Sequence, residues 1–317
     1  MADRALAARS RTTYFCWMIV RDELSLRRVW PHMWKRLAFL LAFDLAIAIS
    51  YALFDQEWIG QPIPLAMVGA ALSLFLAFRN NSAYDRWWEA RTLWGALVNT
   101  SRTLARQALT LVDDAKGNSG AQCHVALVEL QIAYVHALRC HLRKQNPFPE
   151  LQALVPQELV DQLRREKNVP AALLLAMGRV SKKLFQQGRL DSIRLTQIDS
   201  TLTDLCNVQG GCERIKNTPL PRQYEVFPRM LVAMYCLMLP IGLVGTLGLI
   251  TPIASTLVSF IFIALETIGR DLESPFENTV HDTPLTALSN TIELNLRQHL
   301  DETELPTEVR PVHGFVY

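Results

Sequence analysis

Apolar residues gather into four clusters in this chain of 317 residues, and the lengths of the clusters constrain the fold more than any other feature. The clusters lie at residues 37–54, 62–78, 230–250 and 252–268. A helix needs about 20 residues to cross the roughly 30 Å hydrocarbon core of a bilayer, so the first and third clusters predict membrane-spanning helices. The second and fourth are shorter, and buried helices of a soluble core are the alternative for them. Because unpaired spans would be unusual, we expect four transmembrane helices in two hairpins.

Lysine and arginine are distributed unevenly around these clusters. Residues 1–36 carry eight of them, whereas residues 55–61 and Thr251, which join the two spans of each hairpin, carry none. Positively charged loops stay on the cytoplasmic side of a membrane, so the N-terminus is predicted to be cytoplasmic. The expected parts are a cytoplasmic N-terminal segment, a transmembrane hairpin, a helical cytoplasmic domain, a second hairpin and a cytoplasmic C-terminal segment, over residues 1–36, 37–78, 79–229, 230–268 and 269–317.

The segment between the two hairpins has a helical pattern. Its apolar residues recur every three or four positions, without the β-branched alternation that is typical of strands. This pattern predicts an all-α protein, with helices at about residues 120–144, 156–168, 170–186, 191–209 and, after the second hairpin, 284–300. The net charge of +2 gives no reason to expect a nucleic-acid partner.

The second apolar cluster ends abruptly in the stretch FRNNSAYDRWWEARTLWG, residues 78–95. Charged and amide side chains follow Phe78 directly, but no glycine or proline occurs before Gly95. Glycine and proline are the usual helix breakers, so we expect the helix to continue out of the membrane into the cytoplasm. Trp87 and Trp88 lie too far beyond the span for a membrane-interface belt, and we expect them to be buried against other cytoplasmic helices.

The same cluster carries two stripes of different character. Ala70, Leu74 and Phe78 are each four residues apart and so share one side of a helix. The neighbouring stripe consists of small residues, which suit close helix packing in a membrane: Ala66, Gly69, Ala70, Ser73 and Ala77. Copies around a rotation axis would use both stripes, because the small one packs against the neighbour and the bulkier one forms an apolar constriction. An ordinary bundle core or a lipid-facing surface is the alternative.

One carboxylate, Asp44, lies near the middle of the first span. An ionisable residue within a membrane is a functional candidate that faces the protein interior or water. The alternative is a hydrogen-bonded aspartate that fixes the packing of the first helix.

Signals for metal binding and catalysis are weak. His136 and Cys140 are four residues apart on one helical side, but a structural metal site needs four ligands and no companions are evident. The sequence contains no GxSxG, HExxH or phosphate-binding glycine loop. We therefore expect no metal, no cofactor, no catalytic residue and no enzyme activity.

Three stretches resemble one known family. FRNNSAYDRWWEARTLWG is similar to the corresponding segment of bacterial bestrophins, and GGCERIKNTPLP (210–221) resembles the family's approach to its third membrane helix. DLESPFEN (271–278) resembles the segment after the last membrane helix, and the likeness runs from about residue 30 to about residue 300. The resemblance implies a homopentameric ion channel of the bacterial inner membrane, with both termini cytoplasmic and the second membrane helix lining a central pore.

The resemblance also assigns site residues. It implies a hydrophobic neck at Ala70, Leu74 and Phe78 and a second constriction, at the cytoplasmic exit, at Ile193 in GRLDSIR. The expected permeant species are small monovalent ions, and the family implies chloride. Animal bestrophins have larger, more aromatic neck residues, so selectivity for cations is the alternative.

Animal bestrophins further bind calcium in a dense acidic run after the fourth span. The corresponding acidic residues here are spread among Arg270 and apolar residues: Asp271, Glu273, Glu277 and Asp282. Because a calcium site needs six to eight oxygen ligands, we expect no calcium gating and place these carboxylates in helix-end caps or ion pairs.

Two other classes of function remain open from the sequence. A membrane-anchored helical scaffold or sensor would bind a partner through its cytoplasmic domain without ion permeation. A secondary transporter is a weaker third candidate. It would be expected to have inverted repeats and broken helices with charged residues at the membrane midplane, and only Asp44 and Pro240 hint at such features.

Overall fold

The computed structural model describes residues 26–54, 64–113 and 121–307, with side chains from residue 33 in the first range and from residue 125 in the third. These residues form ten α-helices, and no strand occurs among them, which confirms the all-α prediction. The helices are α1 (Leu26–Phe54), α2 (Leu65–Leu111), α3 (Ala121–Leu142), α4 (Phe148–Leu151), α5 (Gln157–Leu163), α6 (Val169–Gln186), α7 (Ser192–Asn217), α8 (Arg222–Leu247), α9 (Thr251–Glu273) and α10 (Leu285–His299).

Helix α2 is the longest element. It contains 47 residues and passes without interruption from its apolar start through Phe78 into the polar segment. At about 1.5 Å per residue it is roughly 70 Å long, more than twice the thickness of a hydrocarbon core. The prediction that this helix continues beyond the apolar cluster is confirmed.

Two described stretches are long and apolar enough to cross a membrane, namely Met33–Phe54 and Arg222–Glu273. The second contains α8 and α9, which are joined by a 3-10 turn at Gly248–Ile250. Gly248 has a φ of 53°, a left-handed conformation that glycine adopts without steric cost. The predicted connection between the first two spans, residues 55–61, lies outside the described residues.

The apolar helices pack around α9, which contacts α1, α2 and α8. Between α8 and α9, the rings of Tyr235 and Phe262 meet edge to face with centroids 4.9 Å apart. Tyr235 also lies against Gly69 of α2, where an added Cβ would stand 2.5 Å from the hydroxyl oxygen. Gly69 therefore allows α2 to approach α8 of the same chain, so the expectation that the small stripe packs against a neighbouring copy is wrong for this residue.

A second core is formed by the second half of α2 with α3, α6, α7 and α10. Helix α7 extends to Asn217, beyond the predicted end at residue 209, and passes through Gly210 and Gly211. A Cβ at Gly211 would lie 2.9 Å from a methyl carbon of Leu93, so this glycine serves close packing against α2 rather than helix termination. A second difference is the short helix α4, which lies between the predicted helices at residues 120–144 and 156–168.

The two tryptophans after the apolar cluster lie in different environments. Trp87 is half-buried and donates a hydrogen bond from Nε1 to the carbonyl oxygen of His281 at 2.9 Å. Trp88 is 55% exposed in the single chain, so the prediction that it is buried against cytoplasmic helices is wrong. Both rings lie beside that of Tyr84, which stacks with Trp87 and Trp88 at centroid distances of 6.1 Å and 6.4 Å.

Candidate functional site

Helix α2 presents an apolar stripe that the rest of the chain leaves exposed. Leu74 is 59% exposed and Phe78 is 60% exposed, and Ala70 is exposed on the same side. Leu72 and Leu76, which alternate with them, are buried in the apolar core beside α8 and α9. The three predicted neck residues thus share one surface, and they are not part of the bundle core of a single chain.

The exposed side of α2 changes character directly after Phe78. In line with Phe78 the next exposed positions are polar or charged, namely Ser82, Asp85, Glu89 and Thr92, while Asn81 and the aromatic residues Tyr84 and Trp88 are exposed beside them. One face of a single straight helix therefore passes from apolar to polar within about one turn. A helix face in contact with lipid along its whole length would not carry polar and charged side chains after Phe78.

The positively charged side chain that directly follows the apolar cluster, Arg79, points away from the exposed side of α2. Arg79 is fully buried, and its Nη1 donates a hydrogen bond to the carbonyl oxygen of Glu266 in α9 at 3.1 Å. Its Nη2 lies 3.6 Å from Oε2 of Glu273. The next residue, Asn80, donates from Nδ2 to the carbonyl oxygen of Leu265 at 3.0 Å. These contacts fix α2 against α9 immediately beside Phe78.

The close approach of α2 and α9 depends on a glycine. A Cβ at Gly269 would overlap the Asn80 side chain and would lie 3.2 Å from Nη1 of Arg79. Gly269 is also buried in α9. Its absence of a side chain leaves room for the polar side chains of α2, a role that the sequence analysis did not identify.

Two turns further along α2, Arg86 joins three helices. It donates hydrogen bonds to the carbonyl oxygens of Glu273 at the end of α9 (2.8 Å), Thr218 (2.6 Å) and Ile215. The carbonyls in the last turn of a helix have no partner within the helix, and a basic side chain can satisfy them. Arg86 therefore links α2 to the ends of α7 and α9.

The predicted exit residue, Ile193, is 73% exposed in the first turn of α7. The neighbouring Arg194 pairs with Asp113 at 2.8 Å and donates to the carbonyl oxygen of Leu111 at 3.1 Å, just at the C-terminal end of α2. Ile193 therefore lies near one end of α2, and the stripe through Phe78 lies near the other, roughly 50 Å away along the helix.

Asp44 lies apart from the exposed stripe. It is 1% exposed, and its Oδ2 accepts hydrogen bonds from the hydroxyls of Ser255 and, at 3.1 Å, Thr256 in α9. This geometry favours the packing role that the sequence left open, in which Asp44 fixes α1 against α9.

The candidate metal ligand His136 is engaged by carboxylates. Its Nδ1 lies 3.0 Å from Glu150 and its Nε2 lies 2.8 Å from Glu293. Burial lowers the pKa of His136, but the hydrogen bonds to these two carboxylates outweigh burial and raise it. The hydrogen bond from His136 lowers the pKa of Glu150 to about 2. Within the described residues no group of three or more His, Cys, Asp or Glu side chains is arranged to hold a metal ion.

The acidic residues at and beyond the end of α9 have partners within the chain. Asp271, Glu273 and Glu277 pair with Arg270 (3.6 Å), Arg79 (3.6 Å) and Lys216 (2.7 Å), respectively. Asp282 accepts hydrogen bonds from the backbone N–H and the hydroxyl of Thr279, at 2.9 Å and 2.6 Å. The prediction of ion pairs or helix-end caps is confirmed for Asp271, Glu273 and Glu277, whereas Asp282 stabilises a turn between α9 and α10.

Comparison with known proteins adds independent evidence. Residues 10–298 match the family of bacterial and fungal bestrophin proteins. A voltage-dependent anion channel-forming protein of Ralstonia nicotianae is 39% identical over 300 residues, which cover 92% of this chain and 97% of that protein. The voltage-dependent anion channel-forming protein YneE of Escherichia coli K12 is 37% identical over 278 residues, covering 86% and 88%.

Solved structures agree with these relatives. The crystal structure of a bacterial bestrophin homologue from Klebsiella pneumoniae matches with a TM-score of 0.81 and 32% identity, covering 86% of this chain and 100% of that one. The resemblance inferred from three short motifs is confirmed, and the chain belongs to the bestrophin family.

Proposed function

We propose that five copies of this chain form an ion channel in which α2 of each subunit lines a central pore. The observation that carries the proposal is the exposed stripe of Ala70, Leu74 and Phe78, which continues into a polar face on the same helix. Relatives that match most of the chain are named anion channel-forming proteins, which supports permeation. The five-fold arrangement comes from the family resemblance.

In this arrangement the three residues form stacked apolar rings, the neck of the pore. An ion that passes an apolar ring loses part of its hydration shell, and a narrow ring can close the pore by excluding water. Ile193, exposed near the other end of α2, forms a second ring at the cytoplasmic exit. Permeation is passive, and selectivity depends on the diameter and polarity of these rings rather than on tightly coordinating sites.

The permeant species are small monovalent ions, and the names of the relatives favour anions such as chloride. One feature favours cations instead. Asp85 is exposed on the polar face below Phe78, and five copies of a carboxylate around a pore attract cations. The sign of the permeant ion is therefore the first property to measure.

The proposed membrane arrangement follows the sequence. The chain resides in the bacterial inner membrane with four spans in two hairpins, and its N- and C-termini are cytoplasmic. The two apolar stretches Met33–Phe54 and Arg222–Glu273 support three of these spans, and the apolar start of α2 supplies the fourth.

Reconstitution of the purified protein in a planar bilayer tests the proposal. The reversal potential is read under a salt gradient, with each ion replaced in turn by an impermeant substitute, and native mass spectrometry gives the number of subunits. Reversal near the chloride potential supports the anion channel, and reversal near the sodium or potassium potential supports the cation alternative. A pentamer that carries no current contradicts the channel and favours a scaffold or sensor.

A further inference from the structure

A groove of about 470 Å³ opens between α1, α8 and α9, away from the exposed stripe of α2. Its apolar lining comes from all three helices: Phe39, Leu40, Val232, Ala233, Leu237 and Ile263. Phe39 is 63% exposed and Leu237 is 36% exposed, so the groove is open on the outer surface of the helices.

The same groove is lined by three basic residues, Lys35, Arg36 and Arg229. All three directly precede an apolar cluster, at residues 37–54 in α1 and 230–250 in α8. In the proposed orientation they lie at the cytoplasmic boundary of the membrane, so one cavity combines a cationic end at headgroup level with an apolar wall at acyl-chain level.

The single acidic residue in the lining does not neutralise this end of the groove. Glu266 is 1% exposed, and its Oε2 lies 3.6 Å from Nη1 of Arg36. The pair holds Arg36 at the groove. Arg229 forms an exposed pair with Glu225 at 3.3 Å, and such surface pairs contribute little and exchange readily. Lys35 and Arg229 thus leave a net positive charge for a bound anion.

We propose that this groove binds one anionic phospholipid of the cytoplasmic leaflet in each subunit. The phosphate lies at Lys35 and Arg229, and an acyl chain lies along Phe39, Leu237 and Ile263. Basic pockets between membrane helices on the cytoplasmic side are suited to anionic headgroups, and a free anion would leave the apolar wall uncovered. The inference rests on the proposed membrane orientation, but not on ion conduction.

Native mass spectrometry of the detergent-purified protein tests the proposal with phosphatidylglycerol and phosphatidylcholine of equal chain length. The wild-type protein is expected to retain phosphatidylglycerol preferentially, at one molecule per subunit. The variant Lys35→Gln/Arg229→Gln is expected to lose about 30-fold in affinity, since each basic residue near an anionic surface contributes about fivefold. The control Lys182→Gln/Lys183→Gln changes the charge equally on α6, in the cytoplasmic part, and is expected to bind as the wild type does.

A second variant separates a lipid from a free phosphate. Ala233→Trp fills the apolar part of the groove and leaves the basic residues in place. Loss of phosphatidylglycerol in this variant, together with no displacement of the lipid by excess inorganic phosphate, supports a lipid site. Unchanged retention in Lys35→Gln/Arg229→Gln, or equal retention of both lipids by the wild type, would overturn the proposal. Lipid retention is measured independently of current, so a failure of the channel proposal is distinguished from a failure of this one.

Discussion

Arg79 donates a hydrogen bond from Nη1 to the carbonyl oxygen of Glu266 at 3.1 Å and thereby fixes α2 to α9 at the residue directly after Phe78. The guanidinium group is fully buried, and its second terminal nitrogen lies 3.6 Å from the Glu273 carboxylate. Phe78 is therefore adjacent to a fully buried polar contact between the two helices. The position of Phe78 depends on this contact rather than on the membrane alone.

Arg79→Met is expected to destabilise the protein strongly, because it leaves the Glu266 carbonyl and the Glu273 carboxylate without the guanidinium. Breaking a buried charge pair on one side costs about 3–5 kcal/mol. Thermal unfolding of the detergent-purified protein, followed by tryptophan fluorescence, measures the loss. Arg106→Met is the control, because Arg106 is exposed on the same helix and its replacement is expected to change stability by about 0.5 kcal/mol or less. Equal melting temperatures for the two variants would exclude the proposed role of Arg79.

Leu74→Ala is expected to raise single-channel conductance or open probability, because it widens an apolar ring. Leu74 is 59% exposed, so its truncation removes little packing within the subunit. Leu76→Ala is the matched control: Leu76 is 1% exposed, and its truncation should cost about 2–5 kcal/mol of stability without widening the pore. Planar-bilayer recordings and melting curves of both variants check the contrast. If Leu74→Ala carried the same currents as the wild type, the stripe of Ala70, Leu74 and Phe78 would not form the neck.

The sequence predicted the course of α2 because no glycine or proline interrupts residues 78–94. The sequence also indicates which side of α2 carries Arg79. This residue follows the buried Leu76 by three positions and Leu72 by seven, so it shares their helical side. The partners of Arg79 were not predictable, because Glu266, Glu273 and Gly269 lie more than 180 positions away and helical periodicity carries no information about pairing between helices.

Two sequence predictions failed for related reasons. The helix predicted to end at about residue 209 continues as α7 to Asn217, and Gly211 lies inside it, where Leu93 occupies the space of a side chain. Trp88 was expected to be buried because it lies too far beyond the span for an interface belt, but it is 55% exposed, and single exposed apolar side chains are common on protein surfaces. In both cases a tertiary contact or its absence decided the outcome, and local composition did not.

Asp44→Asn is expected to behave nearly as the wild type, because an amide oxygen still accepts from Ser255 and Thr256. Asp44→Ala removes the acceptor and should cost about 1–3 kcal/mol of stability. Neither variant is expected to shift the reversal potential, since Asp44 is buried between α1 and α9. Melting curves and reversal potentials of both variants provide the measurement. A change of ion selectivity in Asp44→Asn would instead make this carboxylate part of the permeation path.

The cluster of His136, Glu150 and Glu293 predicts a dependence of stability on pH. The pKa of His136 is raised in the folded protein, so its stabilising contribution is complete below the ordinary histidine value of about 6.5 and is lost as pH rises through the raised pKa. The pKa of Glu150 is lowered from 4.5 to about 2, so its contribution is present above 4.5 and is lost as pH falls towards 2. His136→Gln keeps a hydrogen-bonding side chain but removes the first titration.

Melting temperatures of wild type and His136→Gln, measured from mildly acidic to mildly alkaline pH, check this expectation. The wild type should lose stability relative to the variant as pH rises above about 6.5. Parallel curves over this range would contradict the assignment. At strongly acid pH the loss that follows from Glu150 should be smaller in His136→Gln, because the hydrogen bond from His136 is the main cause of the lowered pKa of that carboxyl.

Cysteine modification of the α2 stripe tests the central claim most directly. Leu74→Cys and Leu76→Cys are reconstituted in planar bilayers and exposed to small methanethiosulfonate reagents of both charges, with the wild type as the control for the six native cysteines. The account predicts that the reagents change the current through Leu74→Cys and leave the wild type and Leu76→Cys unaffected. Conducting Leu74→Cys channels that do not respond, or an equal response of Leu76→Cys, would contradict a pore lined by Ala70, Leu74 and Phe78.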